Sequence, residues 1–460
     1  MQKQVCIQGL GFVGAAMAVA CAQAGKRQGG KPLYQVIGLD LDSPVGRERI
    51  RKLNEGVFPF GTTDNDLIRL TADSHAAGNL RATSGIEPLR TADVVVVDVH
   101  FDIGDLAGDG HLKTGPFLEA IKTLGRNIPQ GCLVIVETTV PPGTCRNIVK
   151  PALAECALER GLPEDAFLLA HAYERVMPGD QYLASITDYW RVFAGDTPAA
   201  ADACEAFMST VVNVAEYPLT RLSNTTASET SKVLENSYRA LTIAFMDEWG
   251  KFAEKAGVDM FEVVGAIRKR PTHSNMRQPG FGVGGYCLTK DPLFADLAAK
   301  DILGLDGVEF PLSRMAVRIN QAMPLHPVDK LRSRLGGLKD ARVLLAGVSY
   351  RQDVADTRYS PSQTFYEIAV KEGAVVICAD PLLSYWDDLQ ISVDDSLTAC
   401  PDVDAVVFAV PHKEYMKLDP SAWLGGRTPY ILDSNNCLSA AQREAFARAG
   451  CVVESVGRGA

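Results

Sequence analysis

Gly9-Leu10-Gly11-Phe12-Val13-Gly14 follows the apolar run 5–8 and opens a helical pattern, and that placement decides how the first part of the chain folds. A strand turning sharply into a helix needs a first glycine for the turn, a second where a pyrophosphate approaches the backbone, and a third where helix packs on sheet. A glycine-rich turn without a ligand remains the alternative on the motif alone. The wider stretch 5–25 is apolar enough to suggest a signal peptide or a membrane span, and Ala20-Cys21-Ala22 mimics a processing site. Its glycines, with no cluster of positive charge ahead of them, argue for a buried strand and helix instead. The next strand ends in Gly38-Leu39-Asp40, which puts a carboxylate where an adenosine ribose would hydrogen-bond and where a 2′-phosphate would be repelled, so NAD is favoured over NADP. Asp40 stands 26 residues past Gly14 rather than about 20. An inserted turn, Lys26-Arg27-Gln28-Gly29-Gly30-Lys31, accounts for the excess.

Outward from this motif, β-branched runs at 5–8, 35–40, 93–99, 133–137, 167–171 and 191–194 alternate with helical segments. That is the pattern of a parallel sheet covered by helices. From about residue 220 the pattern becomes helical. Residues 226–255 carry Val233, Leu234, Tyr238, Leu241, Phe245, Trp249 and Phe252 at spacings of one, three and four, too apolar a helix to stand alone on a surface. Beyond Pro324 and Pro327, strands at 342–346, 375–379, 405–410 and 430–432 restore the alternation. The expectation is an α/β protein with two Rossmann-like domains joined by a long central helix and a helical middle, divided at 1–219, 220–325 and 326–460.

A chain of 460 residues exceeds what one core usually supports, and 47% hydrophobic with 22% charged residues is the composition of a globular protein. The net charge of −10 argues against nucleic acid or an anionic membrane surface as a partner. Eleven scattered cysteines without CxxC spacing point to neither a disulfide framework nor a structural metal site, so no metal is expected and a reducing cytoplasm fits best.

The sharpest chemical signal is Gly280-Phe281-Gly282-Val283-Gly284-Gly285-Tyr286-Cys287-Leu288-Thr289-Lys290-Asp291-Pro292. Its glycines make a loop whose amides can face a ligand, and they deliver one cysteine beside Lys290 and Asp291. A thiolate is favoured by positive charge or a helix start, so Cys287 is a candidate nucleophile, with a structural thiol as the alternative. Lys232 and Asn236 lie four apart on one face of the long helix, and an ammonium beside an amide suits an oxyanion growing at a carbonyl. Alone, such a pair equally fits a solvated face. Two strand exits, Glu137-Thr138-Thr139-Val140-Pro141-Pro142-Gly143-Thr144 and Tyr173-Glu174-Arg175-Val176-Met177-Pro178-Gly179, fall at the edge where a nicotinamide would sit. In the last domain Arg351, Asp353, Asp356 and Arg358 cluster beyond a strand, where open α/β sheets bind ligands, and Arg358 suits a phosphate or a sugar hydroxyl; a solvated loop of mixed charge is the alternative.

Taken in order, these segments resemble the UDP-glucose/GDP-mannose dehydrogenase family over nearly the whole chain. The resemblance also rests on Asn54-Glu55-Gly56-Val57-Phe58-Pro59, Asn320 with Met323-Pro324, and Asp356-Thr357-Arg358 before Ser360-Pro361. It implies an NAD-dependent enzyme that oxidises C6 of a nucleotide sugar to a carboxylate in two hydride transfers. By that resemblance Cys287 is the nucleophile that forms a thiohemiacetal and then a thioester. Lys232 and Asn236 stabilise the developing oxyanion, and Asp291, Glu174 and Thr139 position water and relay protons. Gly9, Gly11, Phe12, Val13, Gly14, Asp40, Thr139 and Lys290 contact the cofactor. Glu174, Arg175, Lys232, Asn236, Arg270, Gly282, Gly284, Gly285 and Arg358 contact the substrate. The long helix builds a homodimer or higher homo-oligomer.

The chain departs from the family at Tyr173 and Thr289, each replacing proline, and at Asp98-Val99-His100-Phe101-Asp102, which replaces a proline- and threonine-bearing turn. His100 reads as a loop histidine or a new polar contact. The substrate stays open between a UDP-hexose and a UDP-N-acetylhexosamine. The competing readings are a single-step β-hydroxyacid or 6-phosphogluconate-type dehydrogenase, which needs no cysteine, and a nucleotide-sugar binding protein without catalysis.

Overall fold

The computed structural model describes residues 2–26, 29–105 and 110–459, so Arg27 and Gln28 of the inserted turn lie outside the described residues. The chain divides into two compact units, Met1–Leu234 with Phe294–Glu309, and Glu235–Leu293 with Phe310–Ala460. The division falls within one helix, Thr225–Ala256, expected from its apolar spacing over 226–255.

In the first unit the strands are β1 (Lys3–Gln8), β2 (Tyr34–Leu39), β3 (Leu80–Thr83), β4 (Val94–Val97), β5 (Asp102–Gly104), β6 (His111–Lys113), β7 (Leu133–Val136), β8 (Leu168–Tyr173), β9 (Val192–Gly195) and β10 (Thr220–Arg221). Eight form one sheet in the order β10-β9-β8-β7-β4-β1-β2-β3, while β5 and β6 pair as a hairpin. The order reverses between β1 and β4, whose carboxyl ends flank the glycine turn, the usual ligand crevice of such sheets. β4 and β7 are buried along their whole length, which is why they read as unbroken apolar runs. β9 runs antiparallel to β8, a departure from the expected parallel sheet. The reason is local: residues 174–191 return the chain with only the one-turn helix Ala184–Thr187, too little for a crossover. The apolar helix Phe12–Ala22 is buried from Gly14 onward and anchors the core under the sheet.

In the second unit β11 (Arg342–Ala346), β12 (Val375–Ala379), β15 (Ala405–Phe408), β16 (Tyr430–Asp433) and β17 (Val453–Ser455) form an all-parallel sheet in the order β12-β11-β15-β16-β17, with β13 (Tyr385–Trp386) and β14 (Ile391–Ser392) as a side hairpin. Both faces of the sheet are packed, one around Phe281, Phe365 and Trp386, the other around Phe408, Trp423 and Phe446. The sheet reverses between β11 and β15, so the polar segment after β11 emerges at a switch point. Among the described residues no helix is long and apolar enough to cross a membrane.

Candidate active site

The glycine turn of the first unit has the geometry a dinucleotide needs. Gly9 has φ +98°, and a Cβ there would meet the Asp98 carbonyl oxygen at 2.7 Å. A Cβ on Gly14 would meet the Gly9 carbonyl oxygen at 1.9 Å, so this glycine lets the helix pass close to the turn. At Gly11 the nearest atom to a Cβ would be His100 Nε2 at 3.9 Å, which leaves clear space above the turn for a pyrophosphate. Gly11 also caps the helix without a side chain, so its first amides face outward beside Phe12 and Val13. Asp40 stands at the end of β2. One of its oxygens accepts from Leu41 N at 2.8 Å, and the other lies 3.3 Å from Arg49 Nη1. These residues fit a bound NAD.

Beyond β4, β7 and β8 the sheet ends in a buried polar group that sequence reasoning did not assemble. Arg191 and Glu137 form an ion pair, each side chain 1% exposed. Both carboxyl oxygens of Asp98 and Glu137 Oε2 are buried without a donor, although the two carboxyls face one another. Two acceptors in contact require a proton between them, and burial with the neighbouring Glu137 and Glu174 charges pushes the Asp98 carboxyl well above its ordinary range. So raised, the Asp98 carboxyl is suited to share a proton with Glu137, whose own carboxyl is raised by burial against the pull of Arg191. His171, on β8, hydrogen-bonds Ser228 Oγ at 2.8 Å, and burial pushes its imidazole down to about 3, so it stays neutral.

Lys232 is buried against this group. Its Nζ donates to the Glu174 carbonyl oxygen at 2.7 Å, lies 3.7 Å from Glu174 Oε1 and sits 5.3 Å from the Tyr173 ring centroid. Tyr173, the first departure from the family, hydrogen-bonds Ser231 Oγ at 2.7 Å and so braces the helix that carries Lys232. The Arg175 guanidinium donates to the Trp190 carbonyl at 2.5 Å and lies over the Tyr173 and Tyr189 rings. Thr139 is half-buried on the strand exit, and His100 is exposed at the rim of the glycine turn.

Of the eleven cysteines in the chain ten are buried, and Cys287, in the second unit, is exposed. It sits in a turn whose carbonyl accepts from Asp291 N at 2.9 Å, ahead of the short 3-10 helix Asp291–Leu293. The Arg358 guanidinium and the Tyr350 hydroxyl lie within electrostatic reach of Cys287, so a positive charge stands near the thiol. Arg358 is itself held by Asp356, with Nη2 2.7 Å from Oδ2. Asn236 Nδ2 donates to Asp291 Oδ2 at 2.9 Å, and Lys290 Nζ lies 3.1 Å from Asp291 Oδ1 and 4.5 Å from the Tyr286 ring centroid. The glycines here have a packing reason that sequence did not show: a Cβ on Gly284 would meet Tyr350 Cβ and the Tyr359 carbonyl at 2.7 Å, and one on Gly285 would meet the Tyr350 ring at 2.8 Å. Gly282, with φ +123°, turns against Pro361. Thr289, the second departure, closes the loop by donating to the Gly285 carbonyl at 2.9 Å. Arg270 lies exposed ahead of the turn Pro271–His273. Among the described residues no group of three or more His, Cys, Asp or Glu side chains is placed to hold a metal ion.

Sequence reasoning also missed what fixes the Arg358 segment. Asp380, at the end of β12, accepts from Val348 N, Ser349 N and Ser349 Oγ at 2.7–2.9 Å, and from buried His412 Nε2 at 3.2 Å. His412 Nδ1 in turn accepts from Asp353 N at 3.1 Å. Only side chains brought from β12 and β15 reveal this, and no local motif marks them.

A dinucleotide turn in the first unit and an exposed cysteine in the second fit the class of NAD-dependent dehydrogenases. Three family models agree with that class: residues 3–211 match the NAD binding domain of the UDP-glucose/GDP-mannose dehydrogenase family, 226–322 its central domain and 344–440 its UDP binding domain. The chain belongs to the UDP-glucose/GDP-mannose dehydrogenase family, its cofactor is NAD, and it is an oxidoreductase acting on a CH–OH group of a nucleotide sugar. It is 29% identical to a UDP-N-acetyl-D-mannosamine dehydrogenase of Methanocaldococcus jannaschii over 99% of this chain and 97% of that protein. It is also 29% identical to one of Pyrococcus horikoshii over 99% of both. The solved UDP-D-ManNAc dehydrogenase structure from Pyrococcus horikoshii superposes with a TM-score of 0.81 at 27% identity, covering 99% of each chain. A UDP-glucose dehydrogenase of Pyrobaculum islandicum shares the fold, with a TM-score of 0.82 at 24% identity, covering 100% of this chain and 98% of the other.

Proposed function

We propose that the chain oxidises C6 of a UDP-N-acetylhexosamine to the uronate, with Cys287 as covalent nucleophile. The carrying observation is Cys287 itself, the one exposed cysteine, on a turn closed by Asp291 N and within electrostatic reach of Arg358. Whole-length relatives named for UDP-N-acetyl-D-mannosamine support the acetamido branch over a plain UDP-hexose.

In this reading NAD, held by the glycine turn and Asp40, supplies the hydride acceptor for both oxidations. Lys232 and Asn236, one turn apart on a single helix, donate to the C6 oxygen as it gains negative charge. The Cys287 thiolate adds to the C6 aldehyde, and the resulting thiohemiacetal is oxidised to a thioester. Asp291 takes the proton of the attacking water, which Thr139 and Glu174 orient, and hydrolysis returns the thiol. Arg358 binds the diphosphate or the sugar hydroxyls, Gly282, Gly284 and Gly285 offer backbone to the substrate, and Arg175 and Arg270 provide further positive charge. Residues 1–219 then serve the cofactor, 220–325 the thiol chemistry and subunit contact, and 326–460 the nucleotide. The exposed row Leu234, Tyr238, Phe245, Trp249 and Phe252 pairs two copies of the chain. Eleven cysteines, none of them in a disulfide, suit the cytoplasm.

NADH counted against uronate over a panel of UDP-hexoses, UDP-N-acetylhexosamines and GDP-mannose tests the reading. Two NADH per product with an N-acetylhexosamine substrate is the expected result. One NADH per product would replace it with the single-oxidation dehydrogenase, and UDP-sugar binding without any NADH would replace it with a binding protein.

A further inference from the structure

Glu229 is fully buried on the long helix, one turn before Lys232 and on the same face. Its Oε2 accepts from Gly143 N at 2.6 Å and its Oε1 from Cys145 N at 2.7 Å, while the Cys145 thiol supplies a third donor. Three donors and no acceptor make a pocket shaped for an ionised carboxylate. The segment it grips is the exit of β7. Thr138 N is fastened to the Val97 carbonyl at 3.1 Å, and the turn at Gly143, with φ +88°, is closed by Thr144 N on the Pro141 carbonyl at 3.1 Å. Thr139 lies on the strap between these two fastenings, and Glu229 is the fastening at its far end.

We propose that Glu229 is a positioning residue, whose ionised carboxylate ties the Thr139 strap to the turn of helix that presents Lys232. The inference rests on the roles given above to Thr139 and Lys232. It goes beyond them by naming what holds the two in register. Burial pushes the Glu229 carboxyl up to about 7, because removal from water outweighs the stabilisation by its donors. The Cys145 thiol is pushed above its ordinary range, Asp196 beside Cys145 is paired with Lys150 at 2.8 Å, His171 beneath Ser228 is held neutral, Lys232 is engaged with Glu174, and Ile302 and Leu303 close the Gly143 side with apolar atoms. Protonation near pH 7 leaves one oxygen as a weaker acceptor and loosens the strap.

The test combines kcat–pH profiles with amide exchange at Gly143 and Cys145, corrected for intrinsic rates, in the full-length protein and in Glu229→Gln. An amide accepts through one oxygen only and sets its NH2 against the second backbone N–H. In the unmodified protein kcat should fall below pH 7, with exchange at Gly143 and Cys145 rising over the same window. Glu229→Gln should lose that acid limb and lower kcat by on the order of 10- to 100-fold with KM nearly unchanged, as sub-ångström misplacement does. Cys145→Ala, which removes only the thiol donor, should move the limb to higher pH and keeps the test alive if the glutamine variant folds poorly. A Glu229→Gln profile that superposes on the unmodified one, or exchange at Gly143 and Cys145 that ignores both pH and substitution, overturns the inference. Absence of NADH from every sugar nucleotide would overturn the catalytic reading alone, and the exchange arm would still decide this one.

Discussion

At the scale of single residues, the Asp40–Arg49 contact changes what the acid at the end of β2 implies. An acid there selects NAD by repelling a 2′-phosphate, yet the same carboxylate lies 3.3 Å from a guanidinium that is partly exposed and stacked 5.3 Å from the Phe60 ring centroid. Asp40→Ala removes the repulsion and frees a phosphate-binding side chain already in place. The NADP to NAD ratio of kcat/KM should rise about 10- to 100-fold, the worth of one hydrogen bond to a charged group, with no basic residue added. Steady-state kinetics with both cofactors checks it, and an unchanged ratio would place the ribose contact elsewhere. Cys287 allows a second prediction at this scale. Being exposed, it contributes little packing, so Cys287→Ser should leave the Tm within a degree or two while abolishing uronate formation. Intact-protein mass spectrometry after mixing the variant with NAD and substrate should find a stalled adduct or none, and two full turnovers would remove Cys287 from the mechanism.

At the scale of elements, the long helix was legible end to end, because one run of apolar spacing dictates it, and so were the strands whose two faces are both buried. The edge strands β3 and β10 were not. Leu80-Arg81-Ala82-Thr83 alternates buried and exposed over only four residues, and Thr220-Arg221 is exposed throughout, so neither carries an apolar run. The candidate site divides along the same line. Cys287 with Asp291, and Lys232 with Asn236, could be proposed from sequence because each pair is close along the chain. Asp98, Glu137 and Arg191 in the first unit, and Asp380 with His412 in the second, could not, because strand order within each sheet brings each group together separately. Sequence could say that residues 233–252 hold too many apolar side chains for one face, but only the structure sorts them. Val233, Ala240, Ala244 and Met246 turn inward, while Leu234 is 65%, Tyr238 54% and Phe252 57% exposed. Phe245, Trp249 and Phe252 contact one another edge to face or tilted along that row. If two copies pair there, Trp249→Glu should weaken association by roughly 2–4 kcal/mol, as loss of a central aromatic does, and convert dimers to folded monomers at micromolar concentration in sedimentation. An unmodified chain that sediments as a monomer under those conditions would dispose of the pairing.

At the scale of the whole molecule, the buried acids set how stability answers to pH. Asp98, Glu137 and Glu229 all have carboxyls raised above their unfolded values, chiefly by burial. A raised acid binds its proton more tightly folded than unfolded, so its contribution is complete below the unfolded value and is lost as pH rises through the folded one. His171 runs the other way. Held near 3 by burial against an ordinary 6.5, it adds stability as pH rises toward 6.5 and nothing beyond. The histidine gain and the Glu229 loss therefore oppose each other from about pH 4.5 to 6.5, while Asp98, the more strongly raised carboxyl, lowers stability as pH rises from its ordinary range toward its folded value. Asp98→Asn isolates it. The asparagine amide can donate to Glu137 as the protonated acid does, keeps the side-chain volume under the Gly14 helix start and has no proton to lose. As pH rises above the ordinary carboxylate range, the unmodified protein should therefore lose more Tm than Asp98→Asn, the difference in stability widening by at most about 1.4 kcal/mol per pH unit. Parallel Tm curves would mean that Asp98 is ionised in the folded protein, and the shared proton with Glu137 would have to be abandoned.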